Sequence, residues 1–289
     1  MESRFISAGA GLSLHVVDYG GDGPPLLLVH GTGLIAQVWG VMVPYLTPHF
    51  RVFALDRKGH GESDKPEHGY QLEESAAEYA AVIEQLGGDG WAAIGHSSGG
   101  TSLGLTAARH PALFRGVAMV DPIIFPSRRR ASTALDGARS MAERTRQRRG
   151  QWPNRQLMFD DLATKRAFRT WQPQALWDYV HYGAEIGEDG AVRLKCPPEI
   201  ESRMYAHASD LDLFDEFARI AAPTLIIRGG QTDRFPRESA ERAVASNPNI
   251  RLIEMPDLSH FASMENPAEV SRLCVDFLTA PEMGLNRRS

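Results

Sequence analysis

A serine between two glycines has the setting of an enzymatic nucleophile. The segment Gly95-His96-Ser97-Ser98-Gly99-Gly100 lies between the apolar run 91–94 and a stretch of small residues that ends before Pro111. A strand, a Gly-x-Ser-x-Gly turn and a helix form the sharp turn that exposes a nucleophilic serine at the edge of a sheet. Glycines two positions before and two positions after the serine leave the space that such a turn needs. The segment therefore predicts that Ser97 is a nucleophile.

A serine hydroxyl needs a base that removes its proton and an acid group that orients the base. His260 comes soon after the apolar run 250–255. Side chains at the ends of strands collect at one edge of an open α/β sheet. The other late histidines, His181 and His207, lie in a stretch without a buried-strand pattern. We therefore predict that His260 is the base.

Two aspartates compete for the role of the acid. Asp233 follows the strand pattern 223–230. Asp121 comes directly after the run 116–120 and before Pro122. We favour Asp233, because its loop is next to that of His260 and the chain order becomes Ser, acid, His. Asp121 remains the alternative acid. Its structural interpretation is an Asx turn that closes the strand before the proline.

The attack of a serine on a carbonyl creates an oxyanion, which preorganised N–H groups stabilise. We expect one donor to be the backbone N–H of Ser98, at the positive end of the helix after the nucleophile. We expect the other to be the backbone N–H of Thr32, because His30-Gly31-Thr32 follows the buried run 25–29. An ordinary strand-to-helix turn is the alternative interpretation of Gly31.

Continuous apolar runs alternate with helical patterns along most of the chain. Runs of this type predict strands buried on both faces of a mainly parallel sheet, with helices covering it. The runs lie at 25–29, 51–55, 91–94, 116–120, 223–230 and 250–255. The alternating segments 3–8 and 12–19 predict a β-hairpin before them. The fold class is therefore α/β.

The stretch 127–220 interrupts this alternation. It is rich in arginine and tryptophan and has helical patterns without a convincing buried strand. We predict a core built from 1–126 and 221–289, with 127–220 as a helical cap over the sheet. Eight arginines lie between Arg128 and Arg149. They would suit a carboxylate or phosphate ligand, although a solvated helix face is the commoner explanation.

Aromatic residues beside the predicted catalytic loops are candidates for the wall of a substrate pocket. Trp39, Phe125 and Phe261 have this placement in the sequence. Pockets for small molecules are lined mainly by apolar and aromatic side chains. Most of the aromatic residues in 127–220 are expected to form the small core of the cap instead.

The composition narrows the classes of partner. The chain has 289 residues, of which 43% are hydrophobic and 23% charged, and a formal net charge of -5. This charge gives no reason to expect binding to nucleic acid or to an anionic membrane. No apolar run approaches the roughly 20 residues that span a bilayer, and the N-terminus lacks a signal-peptide pattern. We expect a cytoplasmic protein without metal or cofactor, for which a homodimer is one open oligomeric state.

Taken together, the motifs resemble those of the α/β-hydrolase superfamily, in particular its cap-bearing serine esterases and lactonases. The matching segments are His30-Gly31-Thr32-Gly33, Asp56-Arg57-Lys58-Gly59-His60-Gly61-Glu62-Ser63, Gly95-His96-Ser97-Ser98-Gly99-Gly100, Asp233 after Gly229-Gly230, and His260 before Glu265-Asn266-Pro267. The resemblance implies a mostly parallel eight-stranded sheet with a helical cap. It also implies a triad of Ser97, Asp233 and His260, with the N–H groups of Thr32 and Ser98 as the oxyanion hole.

Ser97 also separates this chain from some members of that superfamily. Similar epoxide hydrolases and haloalkane dehalogenases carry an aspartate at this position, so their alkyl-enzyme chemistry is not expected here. We expect hydrolysis of a small to medium carboxylic ester, thioester or lactone through an acyl-enzyme. The alternatives with the same triad are carbon–carbon bond hydrolysis and a haloperoxidase-like activity. A small-molecule receptor of the same fold with little or no turnover is a further alternative.

Overall fold

An eight-stranded sheet forms the centre of the computed structural model, which describes residues 1–126, 132–206, 211–233, 235 and 237–280. Its strands are β1 (Glu2–Ser7), β2 (Ser13–Gly20), β3 (Pro25–Val29), β4 (Arg51–Leu55), β5 (Trp91–His96), β6 (Phe114–Val120), β10 (Thr224–Gly229) and β11 (Ile250–Met255). A separate small sheet contains β7 (Gln151–Trp152), β8 (Ala184–Ile186) and β9 (Val192–Leu194). The spatial order is β1-β2-β4-β3-β5-β6-β10-β11. Only the β1/β2 and β2/β4 pairs of this sheet are antiparallel. The predicted fold class is confirmed.

Helices either cover the two faces of the sheet or lie in the segment between β6 and β10. They are a 3-10 helix (Ala36–Val41), α1 (Val43–Leu46), α2 (Glu74–Leu86), α3 (Ser98–Arg109), α4 (Ser132–Arg146), α5 (Arg155–Ala163), α6 (Pro173–Tyr182), α7 (Pro198–Ala206), α8 (Leu213–Phe217), α9 (Arg237–Ser246), α10 (Ala262–Glu265) and α11 (Pro267–Leu278). Successive residues of a strand point to opposite faces. Accordingly, Leu26 and Leu28 join one buried cluster, and Leu27 and Val29 join the other.

The strand register brings four chain segments to one edge of the sheet. His96 is paired with Val120 across the β5/β6 ladder, and Val120 is paired with Ile227 across the β6/β10 ladder. Gly229 is paired with Met255 across the next ladder. The four strands run in parallel, so the residues that follow them emerge at the same edge. This register positions the candidate catalytic residues that follow these strands.

The segment between β6 and β10 contains more than helices. Besides α4 to α7, it holds a three-stranded antiparallel sheet in the order β7-β9-β8. These strands are β7 (Gln151–Trp152), β8 (Ala184–Ile186) and β9 (Val192–Leu194). The segment predicted as a helical cap therefore also contains a small sheet. Strands of two or three residues are too short to produce a readable alternation of apolar and polar residues.

The boundaries of the cap also differ from the predicted ones in part. Helix α8 contacts α3 and α9, which are helices of the core. It thus belongs with the core, although the sequence placed it in the cap. Residues 127–131, which include three of the clustered arginines, lie outside the described part of the chain. In the described ranges, no helix is long and apolar enough to span a bilayer.

Candidate active site

Ser97 lies on a strained turn between β5 and α3. Its φ is 53°, in the left-handed region that residues with a side chain seldom adopt. A Cβ atom at Gly95 would lie 2.6 Å from the Cα of Gly100, and one at Gly99 would lie 2.3 Å from the carbonyl oxygen of His30. Only glycine fits both positions. The turn therefore has the geometry that the Gly-x-Ser-x-Gly spacing predicts.

His260 lies beside this serine. Its Nε2 is 2.9 Å from the Oγ of Ser97. The ring of His96, the residue before the nucleophile, donates from Nε2 to the backbone carbonyl of His260 over 2.8 Å. Glu265 accepts hydrogen bonds from both the backbone N–H and the hydroxyl of Ser259, at 2.7 and 2.5 Å. The backbone around the histidine is therefore held on both sides.

Asp121, and not Asp233, is the acid that contacts His260. The Nδ1–H of His260 donates to Oδ2 of Asp121. The same oxygen accepts from the Thr232 hydroxyl at 2.6 Å, and Oδ1 accepts from the Gly229 N–H at 3.2 Å. Asp121 is fully buried and has a φ of 48°. The sequence kept it as the alternative acid.

Asp233, the acid that the sequence prediction favoured, has an exposed side chain. The Asp233 side chain is 67% exposed, and its Oδ2 lies 3.3 Å from Arg166 of the cap. The reason is its position along the chain. Asp121 directly follows β6, which lies between β5 and β10, whereas Asp233 is four residues beyond the end of β10. The assignment of Asp233 as the acid of the triad is thereby corrected.

Burial changes the ionisation of the Asp121 carboxyl group. It raises the pKa of the Asp121 carboxyl to about 7, and the hydrogen bond from Thr232 opposes that rise. Burial penalises the charged form of a carboxyl group, whereas donors to the carboxylate favour that form. Thr232 was not predicted as a site residue. Its position two residues after Gly230, in the loop beside Asp121, is the signal that could have found it.

The predicted oxyanion donors have different surroundings. Ser98 is the first residue of α3, so its N–H precedes the hydrogen bonds of the helix. The N–H of Thr32 instead donates to the Oγ of Ser98 at 3.0 Å. The two hydroxyl oxygens of Thr32 and Ser98 are 2.8 Å apart, and Nη1 of Arg57 donates to the Ser98 Oγ at 2.6 Å. The Thr32 N–H is therefore engaged within the protein.

Two buried histidines support the loop that carries Thr32. His30 Nε2 accepts from the Arg57 N–H at 3.1 Å, and its Nδ1 donates to the Gly31 carbonyl at 2.8 Å. His60 Nε2 accepts from the Gly33 N–H at 2.9 Å. Burial lowers the pKa of His60 to about 3 and the pKa of His30 well below its usual value. Both rings are therefore neutral supports of the loop.

One of the three predicted pocket residues contacts His260, the predicted base. The Phe261 ring lies 5.1 Å from that of His260 and 5.4 Å from that of Trp171 in the cap, measured between centroids. Trp39 is fully buried within the apolar cluster, so its prediction as a wall residue is corrected. Phe125 is half-buried and packs against the apolar cluster on the opposite face of the sheet.

Among the residues described by the structure, no group of three or more His, Cys, Asp or Glu side chains could hold a metal ion. Both cysteines are buried and unbridged. What the site does bring together is a serine, a histidine that contacts it, and a carboxylate behind the histidine. This constellation can activate a hydroxyl for nucleophilic attack.

Comparisons with known proteins agree with this architecture. A family model described as the alpha/beta hydrolase fold matches residues 24–267. The 2-(acetamidomethylene)succinate hydrolase of Mesorhizobium japonicum is 26% identical over 268 residues, which cover 90% of each chain. A non-heme haloperoxidase of Rhodococcus erythropolis is 28% identical over 290 residues, covering 95% of this chain and 98% of that protein. The crystal structure of E-2-(acetamidomethylene)succinate hydrolase superimposes with a TM-score of 0.85 at 24% identity, covering 96% of this chain and 99% of the other.

Proposed function

The chain belongs to the α/β-hydrolase fold family, and from this premise we propose that it is a serine hydrolase of small to medium carboxylic esters. The observation that carries the proposal is the 2.9 Å contact between Ser97 Oγ and His260 Nε2. The Nδ1–H of the same ring donates to Asp121, which leaves the lone pair of Nε2 to accept the serine proton. The ring is therefore in the tautomer that a general base needs.

The first half of the reaction forms an acyl-enzyme. Ser97 Oγ attacks the carbonyl carbon while His260 Nε2 takes the hydroxyl proton. The carbonyl oxygen becomes an oxyanion, and the Ser98 N–H at the start of α3 stabilises it. The tetrahedral intermediate then collapses, the bond to the leaving oxygen breaks, and the imidazolium of His260 gives its proton to the departing alcohol.

The second half returns the enzyme to its starting state. Water attacks the acyl carbon while His260 takes one of its protons, and the ester bond to Ser97 breaks as that proton passes to Oγ. In both halves the Asp121 carboxylate stabilises the imidazolium and holds its orientation. The water adds one hydroxyl group to the acyl product and one hydrogen to the serine, so the enzyme is unchanged.

The aromatic contacts of the cap support an organic acyl substrate. Phe261, next to the base, contacts Trp171 and Phe168 of the cap, with ring centroids 5.4 and 6.5 Å apart. These rings place apolar surface close to the reacting groups. Apolar surface at a site excludes water and accommodates hydrocarbon parts of a ligand.

The test is hydrolysis of p-nitrophenyl esters of increasing acyl length by the wild type and by Ser97→Ala. We expect turnover with an optimum at one chain length, and a loss of about 10⁴-fold or more in kcat for the variant. Labelling by a fluorophosphonate should occur in the wild type and not in Ser97→Ala. If the folded variant kept wild-type turnover, or if the wild type neither turned over nor became labelled, the proposal would be wrong.

Hydrolysis of an amide bond is the second candidate. It is favoured by the likeness over 90% of the chain to a relative whose name describes an acetamido substrate. The two candidates separate on a matched pair of substrates, p-nitrophenyl acetate and p-nitroacetanilide, which share the acetyl group. A higher kcat/KM for the ester supports the first proposal, and a comparable value for the anilide supports the second.

A further inference from the structure

A single carboxylate joins the cap to the loop of the predicted base. Glu265 ends α10, and its Oε2 accepts from the backbone N–H of Ser259 at 2.7 Å, while its Oε1 accepts from the Ser259 hydroxyl at 2.5 Å. The same Oε1 accepts from the hydroxyl of Thr170, a cap residue, at 2.5 Å. Hydrogen bonds to an ionised acceptor are stronger than those between neutral groups. Glu265 therefore holds Ser259 on one side and the cap on the other.

Ser259 extends this restraint to the backbone on both sides of His260. It directly precedes the histidine, and its Oγ accepts from the backbone N–H of Phe261, the residue that follows the histidine, at 3.3 Å. Because the one hydrogen of Ser259 Oγ is donated to Glu265, a lone pair of the same oxygen can accept this N–H. One hydroxyl group thus spans the backbone of the histidine, and Glu265 sets the direction of that hydroxyl.

Further contacts attach the cap at the same place. The backbone N–H of Gln172 in the cap donates to the carbonyl of Met264 in α10 at 2.9 Å. The ring of Trp171 lies against that of Phe261, with centroids 5.4 Å apart. The cap segment 170–172 therefore contacts α10 and the residue before it through a hydroxyl, a backbone N–H and an aromatic ring.

The distance between the base and the nucleophile depends on this backbone. A general base must lie within about 2.6–3.2 Å of the hydroxyl that it deprotonates, and His260 Nε2 lies 2.9 Å from Ser97 Oγ. A displacement of about 1 Å costs about 10²-fold in rate. We propose that Thr170 of the cap is a positioning residue for His260 and acts through the Glu265 carboxylate. The inference rests on the proposed function, because it concerns the base of that reaction.

Thr170→Val tests this link with the smallest change. It removes the hydroxyl and keeps the shape of an exposed side chain, so the fold should be retained. Loss of the hydrogen bond lets the Glu265 carboxylate turn, because the terminal torsion of a glutamate is broad. We expect kcat for an ester to fall about two- to tenfold while KM stays nearly unchanged. Thr170→Ser keeps a hydroxyl and should retain most of kcat.

Glu265→Ala removes the acceptor and should have a larger effect. The N–H and the hydroxyl of Ser259 then lose their shared partner, and we expect kcat to fall about 10²-fold. In the Glu265→Ala background, Thr170→Val should have no further effect, because the two residues act in series. Glu265→Gln keeps an acceptor oxygen and should recover part of kcat. Additive losses in the double variant would contradict the proposal.

A control variant and a spectroscopic signal separate positioning from general stability. Thr164→Val removes the hydroxyl of another exposed cap threonine, which donates to the Asp161 carbonyl within the cap. It should leave kcat at the wild-type value. The downfield proton resonance of the hydrogen bond between His260 and Asp121 reports the base directly. This resonance should shift in Thr170→Val and stay in place in Thr164→Val.

The failure of this inference differs from the failure of the proposed function. Full kcat and an unmoved resonance in Thr170→Val would overturn the inference, while fluorophosphonate labelling of Ser97 still supported a serine hydrolase. A raised KM at unchanged kcat would overturn it too, because Thr170 would then act on substrate binding. A wild type that is neither active nor labelled would overturn both. Thermal unfolding of each variant establishes that the comparison is made between folded proteins.

Discussion

Two loops at the same edge of the sheet each carry an aspartate, and the two side chains have different environments. In the loop after β6, Asp121 is fully buried and accepts hydrogen bonds from His260, Thr232 and the backbone of Gly229. In the loop after β10, the side chain of Asp233 is two-thirds exposed and pairs with an arginine of the cap. Both positions suit the order of a Ser, acid, His triad. Only the first one places a carboxylate behind the base.

The two aspartates represent two kinds of polar contact, which are buried near the sheet and exposed at the cap. Close to the sheet, buried groups hold the reacting side chains in defined directions, and each loss leaves a partner without its hydrogen bond. Between the cap and the sheet edge, exposed ion pairs such as Arg166–Asp233 lie in water and contribute little free energy. Substitutions near the sheet should therefore have large effects, and those at the rim of the cap small ones.

The sharpest test of this contrast is the pair Asp121→Asn and Asp233→Asn. We expect Asp121→Asn to lower kcat for an ester by about 10⁴-fold, because an amide favours the wrong tautomer of His260. Asp233→Asn should leave kcat nearly unchanged, because its side chain does not contact the base. Steady-state kinetics of the two variants on one ester measure the difference directly.

Misfolding would not explain a loss of activity in Asp121→Asn. Asparagine tolerates the left-handed backbone that this position has, at φ 48°. Burial also disfavours the charged carboxylate, so a neutral amide should keep the unfolding temperature at or above that of the wild type near pH 8. Equal activity losses in the two variants would contradict the assignment of Asp121 as the acid.

Two glycines in helices extend the comparison to stability. A Cβ atom at Gly99 would lie 2.3 and 2.5 Å from the backbone oxygens of His30 and Val29, whereas one at Gly137 in α4 would have no atom of the described part of the chain within 4 Å. Gly99→Ala should cost about 3 kcal/mol or more of unfolding free energy, because backbone atoms at the end of β3 and just after it cannot move away. Gly137→Ala should stabilise the protein by up to about 1 kcal/mol, as is usual for a helix interior.

Urea unfolding of both variants measures the two free energies. The sign of the difference matters more than its size, because both variants add one methyl group in a helix. If Gly99→Ala were as stable as the wild type, the description of α3 as packed directly against the end of β3 would be wrong. Destabilisation by Gly137→Ala would show that the added methyl group meets neighbouring atoms.

The pH dependence tests the environment of the acid. Because burial raises the pKa of Asp121 to about 7, its carboxylate is protonated as the pH falls through that value. We therefore expect kcat/KM to decrease below about pH 7. Thr232→Val removes a donor that lowers this pKa, so the acidic limb of the profile should move to higher pH. On that limb, kcat/KM at a fixed pH should fall about tenfold for each pH unit that the limb moves.

A matched variant separates this effect from a general loss of packing. Thr106→Val removes another buried hydroxyl, one that donates to the carbonyl of Ser102 within α3. It should alter stability without moving the acidic limb. A limb that stays in place in Thr232→Val, or moves equally in Thr106→Val, would show that Thr232 does not control the ionisation of Asp121.

The sharp turn at Ser97 could be predicted from the sequence because backbone sterics determine it. Gly95 and Gly99 are needed wherever a strand turns so sharply into a helix, and this requirement is visible in consecutive residues. The mostly parallel sheet could be predicted for a similar reason, since strands buried on both faces, such as Pro25–Val29, are continuous apolar runs. His260 followed from its place after such a run.

The acid and the oxyanion donors could not be settled in the same way. Asp121 and Asp233 both follow strands, and the choice between them depends on how far each lies beyond its strand end and which way its side chain points. The hydrogen bond from Thr32 N–H to Ser98 joins residues 66 positions apart, and no local pattern reports it. The cap is similar, because its strands are short and its packing depends on contacts distant in sequence.

The smallest effect is expected for the exposed ion pair between cap and core. Arg166→Gln removes the contact with Asp233, whose two side chains are 80% and 67% exposed. The unfolding free energy should change by no more than about 1 kcal/mol, and kcat should remain at the wild-type value. The variant should also lose whatever small salt dependence the pair produces, because exposed charges are screened. A large loss of kcat would mean that Arg166 also positions a group of the site, and the contrast between buried polar contacts at the sheet edge and exposed ones at the cap would be wrong. Measurements at low and high salt on the wild type and Arg166→Gln decide between these outcomes.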